Sequence, residues 1–237
     1  MKTQIESEIE SLKNKILHMG GVVEEMIRLS AKILMERKQE ICQEVFDREE
    51  NVNRLQMEID EMSVRILALH QPEATDLRTI MACAKINAEL ERVADQAVNI
   101  TQTSYYHFLK ESPVQPLMEI PRMAEIAQKM IKQSLDAFAK RDVALAQEVL
   151  KMDEEEDTLK AKALNEIIHM IPGDPNHAKQ FVDLILIAKN FEKIADHATN
   201  IAEDVIFMVL GKDIRHHALE IPAPKGPTDL QGGSAPT

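Results

Sequence analysis

From Ile5 onward the apolar residues recur in alternating steps of four and three, through Ile9, Leu12, Ile16, Met19, Val23, Met26, Ser30 and Ile33. Such a heptad seam runs down one side of a helix and must be buried against another helix. A second seam follows through Ile41, Val45, Arg48, Val52, Leu55, Ile59, Met62, Ile66 and Leu69, with Arg48 its only charged interruption. Two long helices therefore lie side by side, joined near Lys38 to Glu40. Gly20-Gly21 falls inside the first seam, where each glycine costs about 1 kcal/mol relative to alanine, so close helix approach or a mild kink is expected there. Nothing competes with the helical reading. Aromatics are only 3% of the chain, with no Trp, which disfavours a β-sandwich or barrel.

Pro72, with Thr75 and Asp76 after it, ends the second helix and starts a third, which runs through Leu77, Met81, Ala84, Ala88, Val93 and Ala97 toward Leu109. Ser112-Pro-Val-Gln-Pro116 stops it, since two prolines three apart cannot sit inside a helix. The plan then repeats, with helices over about 119–140, 142–170 and 176–210, a Pro172-Gly-Asp-Pro175 turn, and Gly211 as C-cap. The expected organisation is all-α: a three-helix bundle over 1–111, a second over 117–211, and a tail over 212–237 with too little apolar content to pack.

The chain carries 28 Lys+Arg against 40 Asp+Glu, a net charge of −12. That balance, with no basic block, argues against a nucleic-acid partner. Its longest apolar runs, such as Val205 to Leu210, fall far short of the roughly 20 residues of a membrane span. The opening MKTQIESEIE lacks the apolar core of a secretory signal, so a cytoplasmic location is expected. Cys42 and Cys83 stand in no paired spacing and read as two reduced thiols on helices.

The third helix of each half carries the same phrase. Glu91-Arg-Val-Ala-Asp95-Gln-Ala-Val-Asn99-Ile100 and Glu192-Lys-Ile-Ala-Asp196-His-Ala-Thr-Asn200-Ile201 share six identities at an offset of 101 residues. Val45-Phe-Asp-Arg-Glu49-Glu-Asn-Val-Asn53 matches Val149-Leu-Lys-Met-Asp153-Glu-Glu-Glu-Asp157 at an offset of 104, so the chain is a duplicated three-helix unit. Residues at i, i+4 and i+8 share a helix face, which groups Glu91, Asp95 and Asn99, and likewise Glu192, Asp196 and Asn200. Small flanking residues, Ala94, Ala97, Ala195 and Ala198, let a neighbouring helix approach with its own oxygens: Glu49 and Asn53 in the first half, Asp153 and Asp157 in the second.

Two carboxylates about 4 Å apart repel by roughly 4 kcal/mol at an effective dielectric of 20, so converging acids call for a cation. All-oxygen donors suit Mg²⁺, Mn²⁺ or iron. Composition alone produces about seven acid-x-x-x-acid pairs, mostly on solvated faces, so the duplication is what gives the motif weight. A metal-carboxylate oxidase would want Glu-x-x-His on two helices, and only Glu166-x-x-His169 fits, near a helix end and without a twin. His197 points about 100° round the helix from Asp196, toward the surface or an inter-helix hydrogen bond. His216-His217 opens the loose tail. No glycine-rich phosphate loop and no nucleophile with its base is present, so no catalytic or cofactor-binding residue is assigned.

Glu49-Glu-Asn-Val-Asn53, Gln71-Pro-Glu-Ala-Thr-Asp-Leu-Arg78 and both Glu-x-x-x-Asp copies resemble the PhoU family of phosphate-transport accessory proteins, over about residues 1–215. The resemblance implies two tandem three-helix bundles, often assembled as a homodimer, with multinuclear metal sites at the acidic motifs. It also implies a cytoplasmic negative regulator that is no enzyme. Such a protein meets the membrane only through partners, namely the ATPase subunit of the phosphate ABC transporter and a phosphate-sensing histidine kinase. Motif positions carried over are Glu91 and Asp95, then Glu192 and Asp196, with Asp153 and Asp157 as partners on the neighbouring helix. Glu49 and Asn53 stand at the latter places in the first half, one formal charge fewer, so a weaker or empty site is expected there. A PhoU-like accessory of a different phosphate permease is the alternative.

Overall fold

The computed structural model describes residues 3–106, 108–110 and 119–214. Six helices account for nearly all of them: α1 (Gln4–Glu36), α2 (Cys42–His70), α3 (Ala74–Tyr106), α4 (Glu119–Lys140), α5 (Val143–Met170) and α6 (Ala178–Leu210). The proline-rich segment 112–116, His216-His217 and the tail from residue 215 lie outside the described residues.

Local chemistry sets the ends. Thr3 and Glu6 form a capping box on α1, with Glu6 N–H donating to Thr3 Oγ1 at 3.3 Å and Thr3 N–H to Glu6 Oε2 at 2.8 Å. Asp142 caps α5 by accepting from Leu145 N–H at 3.1 Å. Gly211 closes α6 in the left-handed region at φ 68°, its N–H donating to Phe207 C=O at 2.8 Å. The last helix begins at Ala178, because Pro175–His177 forms a separate 3₁₀ turn.

The first seam is buried from Ile9 through Ile33; Ser30, inside it, satisfies its hydroxyl by donating to Ile27 C=O at 2.9 Å. Arg48 turns its guanidinium out to Glu44, and Leu69, at the far end of the second seam, is exposed. In α3 the Leu77 and Met81 row faces solvent. The buried stripe is set by Ile80, Cys83, Ile86 and Leu90, because α3 contacts α1, α2 and α6 at once and needs a wider apolar face. Gly20 is a close-approach position: a Cβ there would sit 2.4 Å from Leu135 Cδ1 of α4, whereas one on Gly21 would meet nothing within 4 Å.

Each half is a three-helix bundle, α1–α3 and α4–α6, and the two are joined through α3 against α6 and α1 against α4 into one continuous core. Lys85 pairs with Asp204 and Glu89 with Asn200, so α3 and α6 run antiparallel. The duplication is visible in burial. Ala146, Val149, Glu156, Ala163 and Ile167, the buried residues of α5, are Cys42, Val45, Val52, Ile59 and Ser63 of α2 moved on by 104. Between Thr79 and Ala97 every buried residue of α3 has a buried counterpart 101 residues on in α6. Two copies of one packing scheme thus hold the two acidic motifs in equivalent places.

Candidate functional site

In the first half Glu49 of α2 faces Glu91 and Asp95 of α3. Burial raises the Glu49 carboxyl above its ordinary range, and the charges of Asp95, Glu50 and Glu91 raise it further. Glu91 is raised by burial and then by Asp95, with Arg92 and His197 pulling the other way. Asn53 and Asn99 are exposed at the rim of this group.

The second half brings together Asp153 and Asp157 of α5 with Glu192 and Asp196 of α6. Asp153 is raised by burial, then by Asp157 and Glu192. Asp196 is open to solvent on one side, yet burial of the other side, with Glu192 and Asp153, pushes it up to about 6. Lys160, one turn beyond Glu156, reaches into the cluster: its ammonium donates to Glu192 Oε1 at 2.7 Å and to Asp157 Oδ1 at 3.0 Å. Those hydrogen bonds, to Glu192 first and Asp157 second, raise the lysine above its ordinary value.

Two site features escaped the sequence pattern. Glu156 is 1% exposed, and neither of its carboxylate oxygens has a hydrogen-bond partner among the described residues. Burial, followed by the charges of Asp153, Glu192 and Asp157, pushes it up to about 8. Its signal was present in the repeat, since the matching residue of the first half is Val52, but an acid within Asp153-Glu-Glu-Glu-Asp157 reads as one more solvated charge. The other is Glu89, which accepts from Asn200 Nδ2 at 3.0 Å and meets His197 Nδ1 at 2.7 Å, tying α3 to α6 across the junction. Burial raises its carboxyl, but the bonds to His197 and Asn200 outweigh that, and its net shift is downward. Asn200 is therefore turned toward the opposite half, and His197 makes an inter-helix contact.

The donor set is all oxygen, as a hard cation prefers: burial and neighbouring acids raise Glu49, Glu91, Asp153 and Asp196, and the buried Glu156 carboxyl has no hydrogen-bond partner among the described residues. As the side chains stand, no three histidine, cysteine or carboxylate groups among the described residues converge on a single point. In the second half the Lys160 ammonium, itself a cation, lies between Glu192 and Asp157. Glu166 and His169 form no second centre. Both are exposed at the end of α5, and His169 Nδ1 lies 2.7 Å from the Asn165 carbonyl of its own helix. Cys42 and Cys83 are free and buried, the latter pushed up to about 12 by burial. No helix among the described residues is long and apolar enough to cross a membrane.

Comparison with known proteins identifies the family and the fold. The chain is 33% identical over 216 residues to the phosphate-specific transport system accessory protein PhoU homolog of Pseudomonas aeruginosa, covering 91% of this chain and 89% of that one. It is 30% identical over 214 residues to the phosphate-specific transport system accessory protein PhoU of Escherichia coli K12, covering 90% and 88%. The crystal structure of PhoU from Pseudomonas aeruginosa superposes with a TM-score of 0.84 at 34% identity, covering 88% of this chain and 100% of that one. The PhoU domain model matches twice, at residues 16–103 and 120–205, once on each three-helix bundle, and the chain belongs to the PhoU domain family.

Proposed function

We propose that this chain is a cytoplasmic accessory protein that regulates phosphate transport, working by protein contact and without catalysis. The carrying observation is the doubled PhoU domain, together with relatives named phosphate-specific transport system accessory proteins over nine-tenths of the chain. On this reading it engages the ATPase subunit of a phosphate ABC transporter and a phosphate-sensing histidine kinase, restraining uptake and the starvation response when phosphate is plentiful, and it works as a homodimer.

Within that reading Asp153, Asp157, Glu192 and Asp196 hold a divalent or trivalent metal in the second half. Glu49, Glu91 and Asp95, with Asn53 and Asn99 at the rim, form a weaker place in the first. Mg, Mn or Fe bound there would supply positive charge that lets the acids approach and fixes the outer helices, α2 and α5, against the inner ones.

The test is alkaline phosphatase output at high phosphate in a bacterium lacking its own PhoU, with and without this gene. Restored repression supports the reading, and a Asp95→Ala/Asp196→Ala variant that folds but fails to repress ties it to the acidic motifs. Soluble expression without repression, and no capture of the ATPase subunit or the kinase in pull-downs from the native host, would sink it.

A further inference from the structure

We infer that Glu156 is an inward ligand of the second-half cation site, one with no counterpart in the first half, and that Lys160 is its resident counter-charge, displaced when the cation binds. The inference rests on the metal reading above and adds two residues outside the duplicated motif.

The repeat itself supplies the comparison. Moving back by 104 residues, Asp153 becomes Glu49, Asp157 becomes Asn53, Glu156 becomes Val52 and Lys160 becomes Gln56. Val52 and Glu156 are both buried, at 0% and 1% exposure, so they fill the same core position. A valine there packs. A glutamate there takes a carboxyl out of water with no donor to receive it, since both oxygens lack a partner among the described residues. Serving only as packing, it would be a poor substitute for the first-half residue.

Its neighbours by charge are Asp153, Glu192 and Asp157, the acids of the motif, so the buried, unpartnered carboxyl lies within electrostatic reach of the cluster on the core side of α5. Lys160 answers the same surplus from the outer side, bonding Glu192 and Asp157 at once. A side cleft of about 210 Å³, lined by Lys160, Leu164, Ile185, Ala188, Lys189 and Glu192, lies beside the lysine and gives its chain a place to go. A hard cation between Glu156, Asp153 and Glu192 would satisfy the buried carboxylate and replace the ammonium, which a monovalent side chain cannot do from outside. The first half has neither the buried acid nor the lysine.

The experiment is isothermal titration calorimetry of Mn²⁺ into the full chain after chelator treatment. The background carries Glu49→Gln and Asp95→Asn, so that only the second half is read. Glu156→Val installs the first-half residue and should weaken Mn²⁺ at least about tenfold, since affinity follows the number of charged ligands. Lys160→Gln, also the first-half residue, should tighten it several-fold. Asp196→Asn serves as the motif control and should weaken it. Thermal melting keeps the comparison honest about folding: Glu156→Val should melt higher than its background without metal, and Mn²⁺ should raise its melting temperature less. Glu156→Gln repeats the test should valine disturb the packing. If Glu156→Val and Glu156→Gln bind Mn²⁺ as their background does while Asp196→Asn does not, the inference falls and the metal reading stands. If the background itself takes up no Mn²⁺, both fall.

Discussion

Glu156 makes stability fall as pH rises, and the size of the effect can be worked from its surroundings. Its carboxyl stands at about 8 in the folded chain against an ordinary 4.5. A folded state that holds its proton more tightly than the unfolded chain is favoured at low pH, so the contribution is fully present below 4.5 and is lost progressively up to about 8. At pH 7 the unfolded chain has released the proton and the folded chain has kept it. Between pH 4.5 and 7, at 1.36 kcal/mol per pH unit, the loss is about 3 kcal/mol. The Glu156→Val variant removes the group and with it this loss. Urea unfolding of both proteins in chelator, at steps from pH 4.5 to 8, should show the variant gaining on the parent by about 3 kcal/mol up to pH 7, whatever the offset at pH 4.5. Asp153 and Asp196 titrate in both proteins, so the difference isolates residue 156 and the repulsion it shares with them. A difference that stays flat across this range would refute the claim that the carboxyl is buried without a partner.

Three further outcomes follow from packing and chemistry elsewhere. Gly20→Val drives a side chain into Leu135 and should destabilise by about 1–3 kcal/mol in urea unfolding, whereas Gly21→Ala, open to solvent, should stabilise by up to about 1 kcal/mol. Glu89→Gln removes the charged acceptor of His197 and Asn200 and should cost about 1–2 kcal/mol at neutral pH in the same assay. Because the Glu89 carboxyl is held below its ordinary value, that cost should shrink as the pH falls through the carboxylate range. Cys83, buried with its thiol pushed up to about 12, should react with a thiol reagent only at the rate at which the protein opens; labelling at the rate of a free thiol would contradict its placement.

Much of the architecture was legible because heptad spacing is a local signal: the stripe from Ile9 to Ile33 and the bounds of α4 follow from periodicity and prolines alone. The Leu77–Met81 row shows where that signal fails. A helix packed on three neighbours buries more than one row, and spacing cannot say which row faces out. The motif acids were legible through duplication, whereas Glu89 was not, because its partners lie more than a hundred residues away and its counterpart in the second half is Asn190. Glu156 was hidden by composition: five acids in five residues look solvated until the helix is seated and one of them turns inward.

A duplicated packing scheme lets one half serve as the control for the other. The backbone positions match so closely that Val52 and Glu156 fill one role in the core, which means the glutamate is not forced by the fold. The same comparison turns Gln56 into Lys160, and Asn53 into Asp157. Those exchanges belong together physically. Adding carboxylates at Glu156 and Asp157 deepens the negative potential around Glu192 and Asp196, and the lysine is the side chain that limits the resulting repulsion in the absence of any other cation. The first half has three carboxylates, Glu49, Glu91 and Asp95, and tolerates them by facing solvent at Asn53 and Asn99. Charge repulsion is thus relieved by exposure in one bundle and by a tethered ammonium in the other, and of the two clusters only the second holds a fully buried carboxylate with no hydrogen-bond partner among the described residues.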